Sequence, residues 1–420
     1  MTTIRAELVV TGIGELATLS VGPVPRTGKG MGELGIIDGG ALAVRDGRFV
    51  FVGRESTLRR LVRLRRGGAT IDAEGGVVVP GFVDPHTHVL FAGHRAHEVP
   101  LKIRGASYAE IARQGGGLFS TVRATRRATR PELLRSAGQR LDTMLRCGTT
   151  SAEVKSGYAL THTGELRLLG LIPELRRRSG MTLVPTYLGA HAIPPEFTRT
   201  PDDYVREMVA RTLPEVARRH LARYCDVFCE PGFFSVPQSE RLLRGALKLG
   251  LGVKVHADEF VLSGGAQLAA RLGARSADHL LKTPKADMGK LARAGVVAVV
   301  LPVTPFASLS GTASPGRELV DAGAAVAVGS DLSPNSWVES MPSVLFHAVH
   351  GARLTPAEAL SAATVNAAQA IGEEATAGQI ALGRPADFSV FHLEEVEELG
   401  YRASAIPAHV SRQGITVSSR

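Results

Sequence analysis

The sequence predicts an α/β fold in which a (β/α)8 TIM-like barrel carries a small β-sandwich domain built from the N- and C-terminal segments. Three observations support this prediction. From Val77 onward, apolar runs alternate with amphipathic stretches, which indicates parallel βαβ units. The apolar runs number eight, enough to close a barrel. Short strands and turns with little helical periodicity precede and follow this region.

The N-terminal segment, residues 1–76, reads as short strands and turns. Ala41–Val44 and Phe49–Val52 flank an Asp-Gly pair, which is typical of a tight hairpin. Only Ser56–Arg66 has a helical period, so we expect one helix there.

The barrel is expected to occupy residues 77–372. Its candidate strands are Val77–Asp84, Thr149–Val154, Thr182–Gly189, Tyr224–Cys229, Val253–Ala257, Ser276–His279, Val296–Leu301 and Ala325–Gly329. The candidate helices between and after them are Pro131–Arg146, Thr163–Arg178, Asp202–Arg219, Gln238–Leu249, Gly264–Leu272 and Thr355–Ile371. Residues 373–420 return to short strands, and we expect them to rejoin residues 1–76 as the second half of one small domain.

An open, doubly wound sheet is the alternative architecture. That fold carries a glycine-rich phosphate-binding turn after its first strand. The turn after Val77–Asp84 lacks it, and Gly115–Gly117 follows no suitable strand. The barrel is therefore favoured.

Composition indicates a globular cytoplasmic protein. The chain has 420 residues, 44% of them hydrophobic, and no apolar run long enough to cross a bilayer. The N-terminus lacks a basic segment followed by an apolar one, so no signal peptide is expected. The three cysteines are too few for a disulfide framework and fit a reducing compartment.

The net charge of +9 raises the question of nucleic-acid binding. Arginines cluster at 59–66, 123–130 and 176–178, but aromatic residues, 5% of the chain, are not interleaved with them. We therefore interpret the clusters as solvated helix faces and expect no nucleic-acid partner and no membrane partner. A small anionic substrate is compatible with the charge.

Histidines and carboxylates follow several of the candidate strands. His86 and His88 end the first, and because alternate residues of a strand point the same way, both imidazoles should face one point. The remaining strand-end groups are His191, His256, Asp258, Glu259, His279 and Asp331. The carboxyl ends of barrel strands meet on one face, and three imidazoles with one carboxylate suit zinc or ferrous iron. Taken singly, each later histidine would more simply be a hydrogen-bonded core residue.

Four segments resemble the metal-ligand segments of the amidohydrolase superfamily: PGFVDPHTH, VKVHADEF, SADHL and VGSDLSP. Four others, FAGHRAHE, QGGGLFSTVRATR, EVKSGYAL and LGAHAIPPEF, resemble the imidazolonepropionase family in particular. The resemblance extends from about Val77 to Ala370.

This resemblance implies roles for individual residues. The implied metal ligands are His86, His88, His256 and Asp331, holding one divalent ion, Zn or Fe. The implied substrate contacts are Arg95, Tyr108, Tyr158, His191 and Glu259, with Arg95 gripping a carboxylate. The implied catalytic groups are Glu259, His279 and Asp331. Lys155, in EVKSGYAL, is either a structural lysine at a strand end or a substrate contact.

The resemblance also implies a reaction. Water would open the ring amide C–N bond of 4-imidazolone-5-propanoate, giving N-formimidoyl-L-glutamate in histidine degradation, and the enzyme would be a homodimer. Three alternatives stay open: another amidohydrolase, such as a deaminase of a cyclic amidine or a different cyclic amidase; a basic nucleic-acid binder; and a protein with a purely structural metal.

The chain departs from the family pattern at two places. The family commonly has Asn-Pro-Gly after the metal aspartate, whereas this chain has Ser333, Pro334, Asn335 and Ser336. Ser333, Asn335 and Ser336 are thus candidate substrate contacts, and the sequence leaves open which of them touches the substrate. His94 stands where a small residue is more usual, and we assign it no role.

Overall fold

The computed structural model describes residues 3–106 and 108–418, and within them the side chains of residues 108, 109, 112 and 418 are not described. In chain order the strands are β1 (Ile4–Thr11), β2 (Glu15–Ala17), β3 (Ile36–Asp38), β4 (Gly40–Arg45), β5 (Arg48–Arg54), β6 (Val62–Asp72), β7 (Val77–Pro80), β8 (Phe82–Asp84), β9 (Thr149–Lys155), β10 (Thr182–Ala190), β11 (Tyr224–Cys229), β12 (Gly252–Ala257), β13 (Ser276–His279), β14 (Val297–Val300), β15 (Val326–Val328), β16 (Phe388–Phe391), β17 (His409–Arg412) and β18 (Ile415–Ser418).

The α-helices are α1 (Glu55–Leu61), α2 (Val99–Ile103), α3 (Tyr108–Arg113), α4 (Gly117–Arg127), α5 (Arg130–Arg146), α6 (His162–Leu169), α7 (Ile172–Ser179), α8 (Pro201–Glu207), α9 (Leu213–Arg218), α10 (Val236–Lys248), α11 (Gly265–Leu272), α12 (Lys285–Ala294), α13 (Val303–Ala307), α14 (Gly316–Asp321), α15 (Met341–His350), α16 (Pro356–Ala362), α17 (Val365–Ile371) and α18 (Glu398–Tyr401). Short 3-10 turns lie at Gly28–Gly32, Ala96–Glu98 and Pro195–Phe197.

The barrel is an eight-stranded sheet in which β8 to β15 lie side by side in sequence order, all parallel. A parallel bridge between Thr87 and Leu332 joins the ends of the first and last strands. His88 N also donates to the Leu332 carbonyl at 2.9 Å. This closure confirms the (β/α)8 prediction and makes the open-sheet alternative wrong.

The first predicted strand, Val77–Asp84, is in fact two strands of different sheets. Val77–Pro80 pairs antiparallel with β16 and parallel with β2, and only Phe82–Asp84 belongs to the barrel. The chain turns at Gly81, where a Cβ atom would lie 2.3 Å from Thr150 Oγ1. Pro80 cannot donate a ladder hydrogen bond, so the apolar run is broken at this dipeptide.

The flanking segments form two further sheets among the described residues, with strand orders β5-β4-β1-β6 and β18-β17-β16-β7-β2-β3. C-terminal strands therefore share a sheet with N-terminal ones. Leu8 and Leu42 from one sheet and Leu16 and Phe388 from the other belong to one buried apolar cluster, as in a sandwich. The domain limits at residues 76 and 372 stay a prediction.

The predicted hairpin is confirmed, since β4 and β5 pair antiparallel and Asp46 and Gly47 both have φ above 50°. The predicted helix Ser56–Arg66 is wrong in its second half. It ends at Leu61, and β6 then pairs in parallel with β1.

Three other long helices are interrupted. Thr163–Arg178 is divided at Gly170 into α6 and α7, and Thr355–Ile371 is divided around Thr364 into α16 and α17. Asp202–Arg219 contains a short π-helical segment, Met208–Thr212. It lies just before Pro214, which lacks the N–H that an α-helical turn needs. Among the described residues, no helix combines the length and apolar character required to cross a bilayer.

Candidate metal centre and active site

The carboxyl ends of the barrel strands bring the predicted histidines and aspartate together. His86 and His88 follow β8, His191 follows β10, His256 lies in β12, His279 ends β13 and Asp331 follows β15. All six are at most 7% exposed. The convergence expected from their positions in the sequence is therefore present.

His86, His88 and Asp331 form the tightest group. The Nε2 atoms of His86 and His88 are 3.2 Å apart, and Asp331 Oδ1 lies 3.6 Å and 3.4 Å from them. His86 also belongs to a set with His256 and His279 whose candidate ligand atoms all lie within 4.8 Å of one another. The Nε2 atom of His256 is buried and has no hydrogen-bond partner among the described residues. Three imidazole nitrogens and one carboxylate oxygen, buried close together, are a donor set that fits a divalent metal ion.

Two aspartates lie next to the other nitrogens of two histidines. His86 Nδ1 donates to Asp278 Oδ2 at 2.6 Å, and His256 Nδ1 lies 3.0 Å from Asp226 Oδ2. A carboxylate only accepts, so Asp278 fixes the tautomer of His86 and leaves its Nε2 as the electron-pair donor. Asp226 lies within ion-pair distance of His256 Nδ1 but makes no hydrogen bond to it among the described residues.

A buried ionic layer lies beneath these aspartates. Lys155 Nζ is 2.6 Å from Asp226 Oδ2 and 2.8 Å from Glu153 Oε2, while Lys254 Nζ is 2.8 Å from the same Glu153 oxygen. The side chains are fully buried. Burial alone would lower the pKa of Lys155, but Asp226, Glu153 and Asp278 outweigh it and raise that pKa. Of the two alternatives for Lys155, these contacts favour the structural one.

Burial sets the charge state of the histidines. It lowers the pKa of His86, His88 and His279 well below the usual value, and the nearby Lys155 and neighbouring imidazoles add to the effect. The imidazoles are therefore neutral at pH 7, which is the state that binds metals.

Asp331 combines strain with an unusual environment. Its φ is 50°, in the left-handed region that non-glycine residues rarely adopt. Thr304 Oγ1 donates to its Oδ2 at 2.7 Å, so Oδ1 is left facing His86 and His88. Burial raises the pKa of Asp331 to about 6. A carboxylate with that pKa can exchange a proton near neutrality.

Glu259 and His279 face each other across the site, with Glu259 Oε2 3.6 Å from His279 Nε2. Burial, followed by the charges of Asp331 and Glu230, raises the pKa of Glu259 well above its usual value. This shift favours the protonated form of the Glu259 carboxyl group. His279 has φ 74°, a second strained residue at the site.

A small cavity of about 70 Å³ opens over this cluster. Of the predicted site residues it is lined by His88, Arg95, Tyr158, His191, His256, Glu259, His279, Asp331, Ser333 and Asn335. Ser336 is buried and does not line it; its N–H donates to Ser333 Oγ at 3.2 Å. The side chain of Tyr108 lies outside the described residues. Phe228, Phe233 and Phe260 form an apolar wall that the sequence reasoning did not identify.

Arg95 and His191 present polar groups to the cavity. Arg95 is held by Glu98, whose Oε2 lies 2.9 Å from its Nε and 2.8 Å from its Nη2. His191 Nδ1 donates to the Gly157 carbonyl at 3.1 Å, and burial lowers the pKa of this histidine to about 3. The ring is therefore neutral, with Nε2 as its acceptor.

Several residues that hold the site were missed in the sequence, among them Glu98, Glu153, Asp226, Lys254, Asp278 and Thr304. A signal exists for four of them: Glu153, Asp226, Lys254 and Asp278 are charged residues inside otherwise apolar strands. Such residues are rarely buried unless they are paired.

Comparison with known proteins gives consistent results. A model of the amidohydrolase family matches residues 69–158 and 205–410. The chain is 48% identical to the imidazolonepropionase of Symbiobacterium thermophilum over 91% of this chain and 90% of that one. It is 43% identical to the imidazolonepropionase of Herpetosiphon aurantiacus, over 97% and 96%.

Solved structures share the fold at lower identity. An adenosine deaminase from Xanthomonas campestris with bound zinc superposes with a TM-score of 0.71 at 19% identity, covering 99% of this chain and 93% of that one. A 5-methylcytosine deaminase from Klebsiella pneumoniae gives 0.71 at 17% identity, covering 98% of each chain. At this identity the likeness concerns the fold alone.

Proposed function

The chain belongs to the imidazolonepropionase family of the amidohydrolases, and from this membership we propose that it hydrolyses the ring amide C–N bond of 4-imidazolone-5-propanoate to N-formimidoyl-L-glutamate, a step of histidine degradation. The reaction adds one water across the bond. The carbonyl carbon gains the hydroxyl and the ring nitrogen gains the proton.

One divalent ion, zinc or iron(II), is the proposed cofactor. His86, His88, His256 and Asp331 would hold it, since their donor atoms are buried and turned towards one another. When bound, such an ion lowers the pKa of water and polarises a carbonyl oxygen. Imidazole and carboxylate ligands accept either metal.

Asp331 and His279 act on the nucleophilic side of the proposed reaction. Asp331 Oδ1 accepts a proton from the attacking water, while Thr304 keeps the carboxylate from rotating. His279 is neutral and donates a hydrogen bond to the carbonyl oxygen as negative charge develops there.

Glu259 acts on the leaving side. The ring nitrogen that leaves the carbonyl carbon becomes a nitrogen of the formimidoyl group and has to gain a proton as the C–N bond breaks. Glu259 lines the same cavity as Asp331 and its pKa is raised, so we assign to it the delivery of that proton to the ring nitrogen. Asp331 faces His86 and His88, whereas Glu259 faces His279, which suits the first as base and the second as acid in this proposal.

Arg95, Tyr158 and His191 bind the substrate in this proposal. Arg95 pairs with the propanoate carboxylate, and His191 Nε2 accepts from a ring N–H. The Phe228 wall confines the ring next to the metal ligands. Tyr108, Ser333, Asn335 and Ser336 remain proposed contacts from the family pattern.

The observation that carries the proposal is the convergence of His86, His88, His256 and Asp331 beneath a cavity walled by Arg95. The test is anaerobic incubation of metal-loaded protein with 4-imidazolone-5-propanoate, following loss of ring absorbance and identifying the product by mass spectrometry. R95A should raise KM strongly, whereas R104A, at an exposed arginine, should not. No turnover with either metal, or unimpaired activity of R95A, would contradict the proposal.

We also propose a cytoplasmic homodimer that binds neither nucleic acid nor membranes. The free cysteines Cys147, Cys225 and Cys229 fit a reducing compartment. Light scattering and a salt-dependent DNA-binding assay would test the two parts separately.

A further inference from the structure

A lysine outside the family motifs makes a hydrogen bond to the loop Ser333–Ser336, which carries the candidate substrate contacts. Lys102 lies in α2, after the first barrel strand, and its Nζ donates to Asn335 Oδ1 at 2.7 Å. Asn335 follows the last barrel strand, 233 residues later in the chain. This contact joins the segments that follow the first and last barrel strands, and its Asn335 end lines the cavity.

The contact determines which end of the Asn335 amide remains for a ligand. A lysine ammonium is only a donor, so the atom it contacts must be the amide oxygen. With its oxygen occupied, the Asn335 amide offers two N–H donors, and Asn335 lines the cavity beside Ser333 and Arg95. Ser333 Oγ instead accepts from Ser336 N, within the loop itself. The Ser333 hydroxyl keeps its own hydrogen to donate, so this loop presents two donors to a ligand, and the Asn335 amide is the one whose direction Lys102 sets.

The charges around this point favour an anion. Arg95 and Lys102 carry two positive charges, and Glu98, which accepts from Arg95 and from Gly117 N, carries one negative charge. Burial lowers the pKa of Lys102, and the charge of Arg95 acts in the same direction. These three groups sum to one positive charge at one end of the cavity, the complement of a single carboxylate.

We propose that Lys102 is a specificity-determining positioning residue that acts through Asn335: it turns the Asn335 amide donors towards the ligand and, with Arg95, makes this end of the cavity select a carboxylate over a neutral group. The inference rests on the proposed function for the identity of the substrate. It does not depend on turnover for its test.

The experiment measures binding to the metal-loaded protein of imidazole-4-propanoate and of its neutral amide. The single tryptophan, Trp337, directly follows the Ser333–Ser336 loop and serves as the fluorescence reporter. Wild type should prefer the carboxylate, and K102M should reduce that preference about tenfold, the loss expected for a hydrogen bond to a charged group. K102R should restore most of it. With the true substrate, K102M should raise KM about tenfold and change kcat less than threefold.

A second variant tests the route through Asn335. N335A should lose the same selectivity as K102M, and the double variant should lose no more than N335A alone. N335A also keeps the inference testable if K102M does not fold. K248M, at an exposed lysine of α10, is the matched control and should behave as wild type.

Two results would overturn the inference. One is selectivity in both K102M and N335A within twofold of wild type. The other is full additivity in the double variant, which would mean that Lys102 acts independently of Asn335. Failure of wild type to hydrolyse the imidazolone, with carboxylate selectivity that still depends on Lys102, would refute the proposed function and leave this inference standing.

Discussion

His86 Nδ1 and Asp278 Oδ2 are 2.6 Å apart in a fully buried hydrogen bond. Because Asp278 can only accept, His86 carries its proton on Nδ1 and turns the electron pair of Nε2 towards His88 and Asp331. Asp278 itself is not one of the four candidate metal ligands. The ability of His86 to bind a metal therefore depends on a residue one position before His279 in the sequence.

We expect D278N to weaken metal binding by about 10- to 100-fold. Without the Asp278 carboxylate, His86 is a less basic ligand and its ring is no longer held in one orientation. The remaining layer keeps Glu153 and Asp226 opposite Lys155 and Lys254, so the fold should survive. Competition with a chelator measures the affinity, and D321N, at an exposed aspartate, is the control. Affinity of D278N within twofold of wild type would show that Asp278 does not orient His86.

E259Q should lower kcat by at least about 100-fold while KM and metal content stay close to wild type. Gln keeps the size and a hydrogen-bond donor but has no proton to transfer to the leaving nitrogen. Steady-state kinetics with metal analysis measures this, and E397Q, at an exposed glutamate, is the matched control. An active E259Q enzyme would assign the proton delivery to another group.

K155M should destabilise the protein by about 3–5 kcal/mol, because it leaves Asp226 and Glu153 as buried charges with one fewer partner. Urea unfolding of the metal-free protein gives the value. K290M removes an ion pair of α12 in which Lys290 is 48% exposed, and should cost less than about 1 kcal/mol. Similar costs for the two variants would mean that the ionic layer contributes little to stability.

The sequence predicted the barrel well because its strands are buried on both faces and read as apolar runs. It failed where local pattern and tertiary pairing differ. Val77–Pro80 is as apolar as a barrel strand but pairs with Phe388–Phe391, a partner more than 300 positions later, which no local period reveals. The convergence of His86, His88, His256 and Asp331 was predictable because each lies at, or just after, the carboxyl end of a strand. The contact of Lys102 with Asn335 could not be predicted, because it depends on how two segments far apart in the sequence meet in the fold.

The neutral state of His191 gives a stability prediction with a defined sign. Its pKa is lowered to about 3 in the folded protein, while an unfolded histidine has a pKa of about 6.5. Below pH 6.5 the unfolded chain binds a proton that the folded protein does not, so this histidine costs stability as the pH falls. H191Q removes that cost. Relative to wild type, metal-free H191Q should therefore become more stable by about 2 kcal/mol between pH 7.5 and pH 5.

Urea unfolding of both metal-free proteins at the two pH values measures this difference, and the comparison cancels the titration of groups that are not coupled to His191. L118A, which removes an apolar side chain from the same cavity, should cost the same at both pH values because it takes away no titrating group. If the H191Q difference were also independent of pH, His191 would have to bind a proton in the folded protein. Its Nε2 could then not accept a hydrogen bond from the substrate ring at acidic pH.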